Sequence, residues 1–330
     1  MRRVILAALP CVAGSVYFFG WRSAVVILVA CVVGFLAECF FTRRRREPVS
    51  EAVLVTAILF GLIMPPTVPW HVVVIGMLFA VVFTKEFFGG FGHNIFNPAL
   101  AGRCFVYICF PIALTASWAP PAEGPYGALL RWGTYSESAP AGAPDAITSA
   151  TPMARMKAAA LAARNAGASD EAKAEPERPR TADLFFGRVS GTAGVTSAGL
   201  ILIGGLYLFI TKTASRTIIL SVILAYAALT QALHMLGVRP APDALRAVLG
   251  GGFLFGAFFM ATDPVSAAKT RTGRIIYGIL IAVCTVVIRN FSIFNGGLMF
   301  SILLGNMSAP IIDYAVTRRR TAGKAGTNEA

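Results

Sequence analysis

Ten apolar segments, at about 4–20, 23–42, 51–64, 68–84, 97–115, 194–211, 216–236, 245–261, 274–290 and 296–316, occupy most of this chain. A helix that crosses a bilayer needs roughly 20 mostly apolar residues, because the hydrocarbon layer is about 30 Å thick and every backbone polar group within it must be paired. Repetition of such windows identifies the solvent as lipid. Of 330 residues, 56% are hydrophobic and 14% charged, more apolar side chain than one water-soluble core can hide. The sequence therefore predicts an all-α integral membrane protein with about ten transmembrane helices. Met1-Arg2-Arg3 ahead of the first apolar run reads as the start of a retained helix, since no small-residue cleavage site precedes the next apolar segment.

The formal charge of +13 would suggest nucleic acid in a soluble protein, but here the cations stand in short blocks beside apolar runs, where they report topology. No nucleic-acid partner is expected; the lipid bilayer is. With the N-terminus inside, Arg43 to Arg46, Lys85, Lys212 with Arg216, and Lys269, Arg271 and Arg274 all fall on the cytoplasmic side, as do Arg318 to Arg320. The opposite loops, near Pro65-Pro66, Pro240 to Asp243 and Asn290 to Asn295, hold few cations. Both termini are thus expected in the cytoplasm of a bacterial inner-membrane protein.

The expected organisation is five helices in 1–117, an extracytoplasmic loop over 118–193, five helices in 194–317 and a basic tail over 318–330. The long loop is rich in Ala, Pro, Gly and charge. It reads as an ordered stretch around 124–160 followed by a solvated segment near Ala168 to Arg180. The two halves also echo each other. Ile58-Leu59-Phe60-Gly61 with Met64-Pro65-Pro66 resembles Phe253-Leu254-Phe255-Gly256 with Met260, Asp263 and Pro264. Repeated halves are common in membrane carriers and place their sites at the repeat interface, so the Gly/Pro-broken segments are where chemistry is expected.

Three groups of residues could carry that chemistry. Phe87 to Arg103 reads FFGGFGHNIFNPALAGR, a glycine-rich turn with two asparagines ahead of a proline that can open a helix. At membrane depth an unpartnered amide is costly, so Asn94 and Asn97 either cap a broken helix or hydrogen-bond a ligand. The second group is Asp145 to Met153, DAITSATPM, a cluster of hydroxyls and small residues after an aspartate. The third is a set of carboxylates within or at the ends of apolar runs, Glu38, Asp263 and Asp313, each able to give a cation a hard oxygen ligand or to pair with a nearby Arg. For Glu38 the nearby partners would be Arg43 to Arg46. No metal centre is expected: Cys11, Cys31, Cys39, Cys104, Cys109 and Cys284 read as small hydrophobes, although Cys104 and Cys109 could share one helix face, and His93 has no second ligand at metal spacing.

The stretch DxxTSATP resembles the motif at which a flavin transferase attaches FMN to threonine through its phosphate. The matching acceptor is Thr151, with Ser149 where that motif commonly has glycine. With FGGFGHNIFNPALAGR at 88–103, FMATDPVSA at 259–267 and the charged end of the last span, nearly the whole chain resembles NqrB, the flavin-bearing membrane component of the Na+-translocating NADH:quinone reductase. The related RnfD component of Rnf ferredoxin:NAD complexes shares the flavin motif and the ATDPVS segment; the unbroken match over Asn97 to Arg103 favours the former. The resemblance implies covalent FMN at Thr151, riboflavin near Asn94 and Asn97, and Glu38, Asp263 and Asp313 on an ion pathway. It further implies ubiquinone as electron acceptor, Na+ as transported ion, a six-subunit complex and a flavin transferase for maturation. No residue is expected to be catalytic alone, and NADH oxidation falls to a partner, since no GxGxxG follows a strand. A secondary transporter without redox chemistry is the alternative of another class.

Overall fold

The computed structural model describes residues 1–115, 118–122, 124, 126–133, 179–238, 241–292 and 296–327, and every regular element among them is helical. Thr151 and the Asp145 to Met153 motif lie outside the described residues. Six helices are long and apolar enough to cross a membrane. They are α1 (Arg2–Phe19), α2 (Trp21–Arg45), α4 (Trp70–Val82, prolonged by a 3-10 turn to Phe88), α9 (Arg216–Met235), α12 (Arg271–Phe291) and α13 (Gly297–Thr327). The other four expected spans fold as short or interrupted helices. They are α3 (Ala52–Leu62), α5 (Pro98–Cys109) with α6 (Pro111–Thr115), α8 (Ala198–Ile210), and α10 (Ala244–Leu249) with α11 (Phe253–Phe255, continued by a π turn over Gly256–Met260). A six-residue helix, α7 (Thr181–Phe186), precedes α8.

The interruptions follow from residue chemistry. Pro111 has no N–H to continue α5, and the Gly250-Gly251-Gly252 run separates α10 from α11, with φ of 61° and 69° at its last two glycines. An 11-residue helix such as α3 covers only about 17 Å. Irregular backbone at membrane depth is tolerated where protein, not lipid, surrounds it. That is the case here: Met64, Val68, Phe253 and Phe255 are buried.

The expected repetition of halves appears in the packing. In the first half α2 packs on α3 and α4, and α4 on α5; in the second α9 packs on α10 and α12, and α12 on α13. The halves meet where α1 lies on α8. Gly204 makes that approach possible, since a Cβ there would stand 2.0 Å from the Ala7 carbonyl oxygen. Close backbone contact of this kind replaces the hydrophobic effect as the association force in lipid.

Helix α2 shows how one element divides its surface. Val26, Ala30, Gly34, Glu38 and Thr42 form a buried stripe, while Leu28, Val32, Leu36 and Phe40 form an exposed one. Both repeat every four residues, the spacing of one helix face. The exposed stripe is the lipid-facing side.

The ends of the molecule differ. Met1, Lys85, Thr213 and Asp263 line one cavity at one end, where Arg2 also pairs with Glu51 and Arg45 with Glu86. The expected cytoplasmic loops thus share an end. At the other end Trp21 donates from Nε1 to the Leu129 carbonyl (2.8 Å), the Ala128 N–H donates to Tyr17 O (2.7 Å), Trp70 stacks under Arg22, and Trp118 donates to Thr115 O (2.8 Å). With Trp132 beside Arg22, all four tryptophans stand at the end where the long loop joins.

Candidate functional site

Asn97 precedes Pro98 at the start of α5 and caps that helix, its Oδ1 accepting from Ala99 N (3.1 Å) and Leu100 N (3.3 Å). Proline at the first helical position costs nothing there, because that N–H has no partner in any helix. The capping alternative therefore holds for Asn97, and its other half is spent across the repeat: Nδ2 donates to the Met260 carbonyl (3.3 Å) at the end of the π turn. Its backbone N–H donates to Asn306 of α13 (3.0 Å), whose amide, oriented by these partners, also donates to Tyr277 Oη of α12 (2.7 Å). One residue thus joins α5, α11, α12 and α13.

Asn94 lies three residues earlier, after a turn whose glycines Gly89, Gly90 and Gly92 have φ near 100°. Its Nδ2 donates to Phe96 O (3.1 Å), and the same amide stabilises the carboxylate of Asp263. Asp263 is half-buried in the loop between α11 and α12 and accepts from Ser266 Oγ (2.6 Å) and Ser266 N (3.4 Å). Burial raises its pKa above the usual carboxylate value, against the opposing pull of Ser266, Val265 N–H and Asn94.

Asn94, Asn97 and Asp263 line a single cavity of about 180 Å³ between the halves. Its walls also include Phe91, Phe258, Phe259, Thr262 and Lys85. Three of the residues singled out in the sequence are therefore brought together. The other two carboxylates are not in this cavity. Glu38, 1% exposed, accepts from Lys85 Nζ (2.5 Å), Ser50 Oγ (2.7 Å) and Ser50 N (2.9 Å). Lys85, and not the expected Arg43 to Arg46, is its partner; Arg45 of that run pairs with Glu86 and Glu47. Asp313 stands apart and binds the start of α12, accepting from Lys269 N (2.7 Å), Thr270 N (3.0 Å) and Thr270 Oγ1 (2.6 Å).

In the sequence Lys85 reads only as a topology signal, and Asn306, Tyr277 and Arg289 do not stand out as site residues. A signal for Asn306 and Arg289 exists: each is a lone polar residue inside an apolar run, the same feature that singles out Glu38. Cys109 is exposed and Cys104 half-buried.

Comparison with known proteins identifies the lineage of this arrangement. A family model described as the NQR2, RnfD, RnfE family matches residues 1–322. The chain belongs to that family. It is 35% identical to a protein of Alcanivorax borkumensis named as the D-type subunit of an ion-translocating oxidoreductase complex, over 99% of this chain and 93% of the relative. Proteins of the same name from Shewanella amazonensis and Aeromonas hydrophila are 36% and 34% identical, covering 97% and 98% of this chain and 92% and 93% of theirs. It is accordingly a multi-pass, all-helical membrane protein, and the names agree with the second of the two complexes that the sequence resembles.

Proposed function

We propose that this chain is the RnfD component of an Rnf-type ion-translocating oxidoreductase complex, holding FMN through a phosphate ester at Thr151 and riboflavin between its two halves. What carries the reading is the cavity at the repeat interface, lined by Asn94, Asn97 and Asp263, in a chain similar along its whole length to proteins named for that role. The donor set suits a flavin. Phe91, Phe258 and Phe259 offer aromatic faces for a flat ring system, while Asn94, Thr262 and Lys85 offer hydrogen bonds to its polar edge. When bound, such a group supplies one- and two-electron transfer chemistry.

The protein's part is position and electrostatics. Asn97 fixes the cavity's shape by tying α5 to the π turn and to α13, so the walls contributed by the two halves keep one spacing. Lys85 brings a positive charge to the wall and Asp263 a negative one. The same geometry serves the closely related reading, the NqrB component of a Na+-translocating NADH:ubiquinone reductase. There electrons would pass to ubiquinone with Na+ export in a six-subunit complex, and the unbroken Asn97 to Arg103 motif speaks for it. In either complex the basic end faces the cytoplasm of an inner-membrane protein, the flavin-bearing loop faces outward, and a flavin transferase loads Thr151.

The test is in-gel fluorescence of the denatured protein after co-expression with a flavin transferase, wild type beside Thr151→Ala. Fluorescence lost only in the variant is expected. A dark wild-type band would instead favour a secondary transporter without redox chemistry. Riboflavin released from Asn94→Ala protein under native conditions should fall while the covalent band stays bright.

A further inference from the structure

Lys85 is 3% exposed, yet it has two sides. Its ammonium binds Glu38 Oε2 (2.5 Å) and Ser50 Oγ (2.9 Å), and it also lines the inter-half cavity, where Nζ lies 5.9 Å from the centre of the Phe91 ring. Glu38 has no wall in that cavity. It sits on the inward stripe of α2, near the C-terminal end of the helix and beside the loop that carries Ser50. A buried carboxylate keeps its charge only with a positive partner, and a lysine is a compact point charge on a flexible stem of four carbons. The arrangement therefore puts a movable cation between a carboxylate and a cavity that has its own aromatic wall.

We propose that Lys85 is a tethered counter-cation that Glu38 exchanges for a free monovalent cation. While the cavity is uncharged, the ammonium neutralises Glu38. When a negatively charged occupant forms in the cavity, the ammonium turns to it, and the Glu38 carboxylate, with Ser50 Oγ, takes one monovalent cation from the basic end of the molecule. The charges balance: the cavity gains one negative charge, which Lys85 neutralises, and Glu38 gains one cation in place of the ammonium. The ammonium and the free cation compete for the same oxygens, so only one is bound at a time. A change of charge in the cavity thereby becomes uptake of a cation at a site the occupant does not touch.

The identity of the occupant rests on the flavin reading above, but the competition for Glu38 does not, and it can be measured on purified full-length protein without cofactor. The experiment follows thermal unfolding in detergent as Na+ replaces choline at constant ionic strength. The wild type should respond to neither ion specifically, because Lys85 fills the site. Lys85→Met should gain a saturable, Na+-dependent rise in Tm of about 3 °C. Lys85→Met/Glu38→Gln should lose it. Should Lys85→Met fail to fold, Lys85→Gln, whose amide can still donate to Glu38 without charge, carries the same expectation. A folded Lys85 variant with no Na+ response, or one whose response survives the Glu38→Gln change, would overturn the proposal. A dark fluorescence band at Thr151 would leave this result standing, so the two readings fail separately.

Discussion

Each half of the molecule contains one break in its helical run, and each break is held by a buried arginine, but the two arginines come from different places in the chain. In the first half, Arg22 at the start of α2 donates from Nη1 to Pro66 O and from Nη2 to Val68 O (3.0 Å), just after α3, with Trp70 beneath it at 5.0 Å. In the second, Arg289 near the end of α12 donates to Gly251 O (2.8 Å), Ala247 O (3.5 Å) and Tyr226 Oη (3.1 Å), and lies over Tyr226 and Phe253. No carboxylate pairs with Arg289 among the described residues. A guanidinium suits such work because it is always charged, presents several donors in a plane and stacks on rings. The lesson is that the requirement repeats and the solution does not: carbonyls freed by a broken helix must be satisfied, whichever helix supplies the donor.

The comparison can be broken by substitution. Arg289→Ala should have the largest effect, about 3 kcal/mol lost from unfolding in detergent, since a 2%-exposed side chain gives up three hydrogen bonds and both ring contacts. Arg22→Ala should cost about 2 kcal/mol, because its carbonyls belong to a connecting segment and not to a helix interior. Equal losses would show that the two breaks are equivalent. Arg289→Lys keeps the charge but not the fork, and should recover roughly half of the Ala loss. Asn97→Ala, which removes a helix cap and the link to Met260, should cost about 1 kcal/mol and leave both arginine sites intact. Thermal and chemical unfolding followed by circular dichroism reads all four.

Much of this is legible in the sequence. The apolar runs locate the long helices, the basic blocks mark one end, and carboxylates in apolar surroundings stand out as sites. Length is not legible for the interrupted segments, because a hydropathy window adds apolar residues on either side of Phe110-Pro111 or Gly250 to Gly252 without registering that the backbone turns there. Glu38 and Asp313 look alike, each a carboxylate late in a span. They differ because Glu38 meets a lysine 47 residues further along, whereas Asp313 meets backbone N–H groups, which carry no sequence signal. Asn97 reads as a cap or a contact, but its link to Met260 joins positions 163 apart, and no local pattern predicts it.

The placement of the tryptophans has a practical consequence. All four stand at the end where the long loop joins, and the indoles of Trp21 and Trp132 are more than half exposed. Intrinsic emission from this protein is therefore a one-sided optical probe. In sealed vesicles of uniform orientation, an impermeant quencher added to the bulk solution should dim it strongly from one side and hardly at all from the other, giving the direction of insertion without any label.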